Sequence, residues 1–436
     1  MFVAPAPWVN LAGSTSAPTW GRSELGQRGC SSHCDLGRHC FGSRETTFSL
    51  WRSCVLGATA LAVRERSRAR QRSTKPKSYR KFQASVKVEK RSLHKSGDVL
   101  STGTLPVGDG FELYYEEHGH ADGIPAVFLH GGPGAGCSRR MAQLFDPAKY
   151  RIILFDQRGC GKSTRKDSSS AEEQIDDNTT WHLVSDLEAL REHLKIDRWV
   201  VAGGSWGTCL ALAYASKFRE RVLAMALRAV FLFRSQELEF FCGRSGGASQ
   251  LAPSAWQSFG SWLPPEISSA RAVAAAFRRA ALGQDASMSP SDALGKWRAW
   301  ENFLFSLRER NPQLAECEAA SVPALPEVST PKSPWPKATK FNIQALLTLH
   351  YVAERGFLND AELLDCAKHF DFPLKLIHGQ CDCICPAENA RDLASAVGQH
   401  AELLLTNAGH SQWDTDNIDA FVRATDEIAS ECLVTC

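Results

Sequence analysis

Short apolar runs that break off in glycine-rich turns recur along residues 110–410, and they limit what this chain can fold into. Residues 126–129 run into His130-Gly131-Gly132-Pro133-Gly134, and 151–155 into Asp156-Gln157-Arg158-Gly159. Residues 199–202 run into Gly203-Gly204-Ser205, and further runs stand at 222–227, 374–377 and 402–405. Runs of this length suit strands buried on both faces, whereas residues 111–115 alternate like a strand with one wet face. Between the runs lie helical patterns. Leu183, Leu187, Leu190 and Leu194 are spaced by four, three and four, residues 208–218 are small and apolar, and a last helix is expected over 418–428. Strands alternating with helices imply a mostly parallel α/β sheet with helices on both faces. The rhythm fails over residues 232–365, which are helix-like, carry Trp256, Trp262, Trp297, Trp300 and Trp335, and include a Pro-rich loop at 322–336. That block reads as a helical cap inserted after the sixth strand. The expected division is a leader at 1–95, the sheet domain at 96–231 and 366–436, and the cap at 232–365.

Charge separates the leader from the body. Residues 1–91 hold 17 Lys and Arg against 5 Asp and Glu, and the other residues hold 33 against 43. An acidic body argues against a nucleic-acid enzyme, whose basic surface normally lies on the folded domain. No run of 18 apolar residues exists, so no membrane-spanning helix is expected. The leader is rich in Arg and Ser and poor in acids, and ten apolar or small residues at 54–63 precede its basic run. It resembles an organellar transit peptide, which places the protein in a plastid or mitochondrion; an unstructured basic tail on a cytoplasmic protein is the alternative.

The chemistry centres on Gly203-Gly204-Ser205-Trp206-Gly207, a G-x-S-x-G motif between a strand and a small-residue helix. A serine at such a sharp turn exposes its hydroxyl, the flanking glycines allow close approach, and the helix N-terminus favours developing negative charge. Acyl transfer also needs a base and a group that orients it, and in this arrangement both follow late strands, acid before histidine. Asp382 follows the run ending at Ile377, and His410 follows the run ending at Leu405. The competing Asp392 falls in a helix-like stretch and reads as a solvated charge. The competing His378 and His400 lack loop placement, and His378 reads as a structural histidine at a strand end. The glycine turn at 130–134 would supply an oxyanion hole, with the amides of Gly132 and Trp206 as donors. The 15 cysteines are scattered, so a disulfide scaffold is not expected and a reducing compartment fits best. Cys381, Cys383 and Cys385 alternate and would point one way if extended, yet no matching ligand pair stands at zinc spacing, and they read as ordinary thiols. No phosphate loop, nicotinamide fingerprint or metal motif is present.

Read together, these strings resemble the proline iminopeptidase (prolyl aminopeptidase) family of the α/β-hydrolase fold over residues 100–430. The resemblance is carried by the 130–134 turn, Leu144-Phe145-Asp146-Pro147, the string from Phe155 to Ser163, Asn178-Thr179-Thr180-Trp181-His182-Leu183-Val184 and the serine motif. It implies a serine exopeptidase that removes an N-terminal proline from short peptides, with Ser205, Asp382 and His410 as triad and neither metal nor cofactor. Two cap glutamates of the family hold the substrate's amine. Trp297-Arg298-Ala299-Trp300-Glu301 matches the segment bearing the first, which makes Glu301 a candidate anchor. Leu347-Thr348-Leu349-His350-Tyr351 matches the segment bearing the second and has Thr348 in the glutamate's place. An esterase or amidase with a re-tuned cap is the alternative, and a catalytically silent binding protein is a third. Oligomeric state is not legible.

Overall fold

The computed structural model describes residues 90–166, 170–307 and 340–434. The apolar and basic stretches of the expected leader lie outside these residues, as does the Pro-rich loop with Trp335. Among the described residues, no helix is long and apolar enough to cross a membrane.

Nine strands of the described residues form one sheet: β1 (Val99–Gly108), β2 (Phe111–Gly119), β3 (Ile124–Leu129), β4 (Tyr150–Phe155), β5 (Thr164–Arg165), β6 (Trp199–Ser205), β7 (Val222–Val230), β8 (Leu374–Gly379) and β9 (Ala401–Thr406). The spatial order is β1-β2-β4-β3-β6-β7-β8-β9, with the two-residue β5 on β2. β2 pairs antiparallel with β1 and β4, and every pairing from β4 to β9 is parallel. The apolar runs named above all lie in these strands. β1 has no such run, because its side chains are largely exposed and no apolar stripe marks it. Its signal is the turn that follows: Gly108 pairs with Phe111 across Asp109-Gly110, both at positive φ (50° and 77°), a two-residue hairpin turn that favours this Asp-Gly pair.

Helices cover both faces. On one lie α1 (Thr180–His193) and α2 (Trp206–Lys217), whose Leu187 and Leu210 pack with Val127 and Leu129 of β3. On the other lies α11 (Thr415–Val434), whose Ile418 and Phe421 pack with Ala126 and Phe128. Alternate residues of one buried strand thus feed two cores, which is why the run is apolar throughout. Near the start of the described chain, the Arg91 amide donates to Asp419 Oδ1 of α11 at 2.7 Å and His94 lies 3.1 Å from Asp426.

The insertion between β7 and β8 is helical: α3 (Ser235–Cys242), α4 (Gly247–Leu251), α5 (Pro253–Gly260), α6 (Ala270–Ala281), α7 (Pro290–Phe305), α8 (Lys340–Ala353) and α9 (Glu362–Ala367). α10 (Glu388–Val397) then returns to the sheet domain. The tryptophans form the centre of this cap. Phe259 stacks on Phe277 and Trp300, with centroids 4.6 and 5.2 Å away, and Trp297 is fully buried beside them. The strings around Asp156 and Trp181 hold the two layers in place. Arg158 donates twice to the buried Asp186 of α1, at 2.9 and 2.7 Å, and once to Asp109 at 2.8 Å. Asn178 donates to the Arg158 carbonyl and accepts from Tyr351 of α8 at 2.8 Å, while the Trp181 indole donates to the Phe357 carbonyl.

Burial pushes the Asp186 carboxyl up against the pull of Arg158, so the pair is held by its own geometry rather than by solvent. Asp186→Ala would strand a guanidinium whose side chain is 2% exposed. It should lower unfolding free energy by about 3–5 kcal/mol, measured by urea denaturation. A loss below about 1 kcal/mol would show that solvent or Asp109 replaces the lost partner.

Candidate active site

The serine turn is built by close packing. A Cβ on Gly207 would lie 2.1 Å from the Leu129 carbonyl oxygen, and one on Gly203 would lie 2.7 Å from it. A side chain at Gly207 would push α2 off β3, and one at Gly203 would push β6 off it. Between them, Ser205 caps α2 with φ 58° and ψ −125°, a conformation that costs a non-glycine residue about 1–3 kcal/mol and holds its side chain out of the turn.

His410 and Asp382 reach Ser205 from the loops after β9 and β8. His410 Nε2 stands 3.1 Å from Ser205 Oγ, and His410 Nδ1 stands 2.7 Å from Asp382 Oδ2. The other oxygen of Asp382 accepts the amides of Ile384 and Cys385 at 2.9 and 2.8 Å. Burial alone would raise this carboxyl; the charge and hydrogen bond of His410, with the Cys385 amide, hold it below the ordinary carboxylate value. It therefore stays an anion able to fix the tautomer of His410 and to stabilise its protonated form. Gly131 packs against Gly204 and Ser205, which sets the 130–134 turn beside the hydroxyl. Trp206 is the first residue of α2, so its amide belongs to the helix N-terminus. The arrangement can transfer an acyl group through a serine ester.

Ser205, Gly132, His410, Glu301, Thr348 and Phe305 share one cavity of about 350 Å³ beneath the cap. α7 turns Arg298, Glu301, Asn302 and Phe305 into it, the i, i+3, i+4, i+7 face of a helix whose opposite face holds Trp297 and Trp300 in the cap core. α8 contributes Gln344, Thr348 and Val352 at intervals of four. Burial pushes the Glu301 carboxyl up, although Arg298 lies 3.0 Å away. Asp392 is half-exposed on α10 and paired with Arg234 at 2.7 Å. His400 lies at the short turn before β9. His378 is buried at the end of β8, accepts the Val230 amide and donates to the Cys385 carbonyl, so it braces the loop that carries Asp382. The segment at 381–385 is not extended: it turns around Asp382, leaving Cys381 and Cys383 half-buried and Cys385 buried against the site. Burial holds the Cys385 thiol neutral.

Several residues at the site had no role assigned to them from the sequence. Gln157 accepts from the Trp206 indole at 2.8 Å and donates to the His130 carbonyl at 2.9 Å, tying the serine turn to the glycine turn. Asn417 of α11 donates to the carbonyls of Gly409 and Ser411, and Arg228 of β7 donates to that of His410. Every carbonyl from 409 to 411 is thereby held by a buried polar side chain. An isolated Arg in an otherwise apolar strand was the one visible sign.

A model of the α/β hydrolase fold matches residues 125–416. The proline iminopeptidase of Xanthomonas citri is 38% identical over 341 residues, spanning 78% of this chain and all of that relative. The proline iminopeptidase of Arabidopsis thaliana is 37% identical over 76% of this chain and 80% of its own length. This chain belongs to the proline iminopeptidase family of α/β hydrolases. A solved proline iminopeptidase from Mycobacterium smegmatis is 17% identical over 77% of this chain and 100% of its own, with a TM-score of 0.46.

Arg228 is a positioning residue in this geometry, since it touches the backbone of His410 and not its ring. Arg228→Met should lower kcat on an activated acyl ester about 100-fold while KM moves less than about threefold. A kcat within about twofold of wild type, on protein with an unchanged melting temperature, would remove it from that role.

Proposed function

We propose that this chain is a prolyl aminopeptidase, a serine exopeptidase that releases N-terminal proline from short peptides through an acyl-enzyme. The observation that carries the reading is the hydrogen-bonded run Ser205–His410–Asp382, with Ser205 and His410 lining a capped cavity. Membership of the proline iminopeptidase family supports the substrate class.

In this mechanism Ser205 Oγ attacks the carbonyl carbon of the N-terminal residue and its proton passes to His410 Nε2. Asp382 keeps the proton on His410 Nδ1 and stabilises the imidazolium. The amides of Trp206 and Gly132 stabilise the oxyanion; losing one such donor costs about 100- to 1000-fold in rate. The C–N bond then breaks as His410 protonates the leaving amine. A water molecule, deprotonated by His410, attacks the serine ester and frees the amino acid. Glu301 faces the amine end of the substrate, and the cap limits the depth of the site, which suits short peptides. The basic leader acts as an address to a plastid or mitochondrion, and a cytoplasmic location is the alternative.

Wild type should hydrolyse proline 4-nitroanilide, and Ser205→Ala should lose at least about 10⁴-fold in kcat and all labelling by a fluorophosphonate. Ester hydrolysis without proline release would sink the prolyl specificity and leave the serine chemistry standing. Thr348→Glu should raise kcat/KM on the anilide about tenfold by adding a second carboxylate for the amine, and an unchanged value would count against the lost charge.

A further inference from the structure

The carboxylate that faces the amine end of the cavity already has partners within the chain. Arg298, one helical turn before Glu301 on α7, donates to its Oε2 at 3.0 Å. The Trp297 indole donates to its Oε1 at 3.2 Å. The Thr348 hydroxyl lies beside the same carboxylate and donates its one proton to the Gln344 carbonyl at 3.0 Å. Arg298, Glu301 and Thr348 all line the cavity that holds Ser205. Both charged side chains are largely withdrawn from solvent, at 22% and 13% exposure.

Two consequences follow for what the cavity binds. An incoming ammonium must share one carboxylate with a guanidinium, and in a desolvated pocket the two cations repel each other. Conversely, an uncharged substrate leaves no orphaned anion behind. A site built to bind a polar group normally rejects the analogue that lacks it, because its own buried groups are then unpaired. Here the internal pairing removes that penalty. The remaining walls suit an apolar ring, with Phe231, Phe233, Phe241, Phe305 and Val352 among them.

We propose that Arg298 is the specificity-determining residue of this pocket: by engaging Glu301 it makes the site accept small uncharged cyclic acyl groups, so that the chain hydrolyses uncharged amides and esters besides aminoacyl ones. The proposal rests on Ser205 as nucleophile, and not on strict preference for proline.

Matched 4-nitroanilides of proline and of cyclopentanecarboxylic acid test it, since they differ only at the ring nitrogen. Wild type turns over both. Arg298→Met raises the ratio of kcat/KM, prolyl over cyclopentyl, by at least about tenfold, and Arg298→Lys keeps the wild-type ratio. A ratio in Arg298→Met within about threefold of wild type overturns the proposal. So does wild type that cleaves the prolyl compound with no detectable turnover of the cyclopentyl one. Inhibition of wild type alone gives a second measurement that needs no variant. Cyclopentanecarboxamide should have a Ki within about tenfold of that of prolinamide, and a preference for prolinamide above about 100-fold overturns the proposal. Ser205→Ala abolishes both turnovers if the reading of the nucleophile is right, so a failure there is distinct from a failure of the ratio.

Discussion

The active site depends on how closely α2 approaches β3 and β6. With no Cβ at Gly203 and Gly207, the helix start rests on the Leu129 carbonyl, and the chain must turn sharply at Ser205 to enter it. The positive φ of Ser205 is the result of that contact. It is maintained because β6 is buried on both faces, so the strand cannot shift to relieve it. The same packing brings the glycine turn after β3 alongside the hydroxyl, since β3 and β6 are adjacent parallel strands. Ser205 and the glycine turn that faces it are therefore set by one contact.

His410 and Asp382 have a different kind of support. Their loops follow β8 and β9, two and three strands away from β6, which carries Ser205, and loops of this kind are held by polar side chains rather than by packing alone. Arg228 and Asn417 hold the histidine turn, and His378 braces the acid loop against the end of β7. Burial keeps His378 neutral, so it accepts at one nitrogen and donates at the other, which a protonated ring could not do. These buried polar groups specify where His410 stands at the cost of desolvating them.

The cap is joined to the sheet domain through Asn178, which bonds both to the Arg158 carbonyl and to Tyr351 of α8. Tyr351 lies three residues from Thr348, so the face of α8 that docks on the core also sets the face that lines the cavity. α7 works similarly: Trp297 and Trp300 anchor one side and Arg298 and Glu301 are presented on the other. Pocket chemistry and cap stability are thus carried by alternate residues of the same turns.

Much of this was legible in the sequence. Apolar runs ending in glycine turns located the buried parallel strands, because a strand covered on both faces admits few polar residues. The chain order of serine, acid and histidine follows from the order of those strands. β1 escaped because it is an exposed edge without an apolar stripe. Arg228, Gln157 and Asn417 escaped because their partners are backbone groups 182, 27 and 8 residues away, to which no local spacing points. What the sequence determined by itself was the identity of the buried parallel strands and of the glycine turns that end them, the one at Ser205 included, all set by local pattern. Only the tertiary structure decided which charges face Ser205: Arg298 and Glu301 pair within one turn of α7, but that this turn lines the cavity depends on how the cap lays α7 over Ser205.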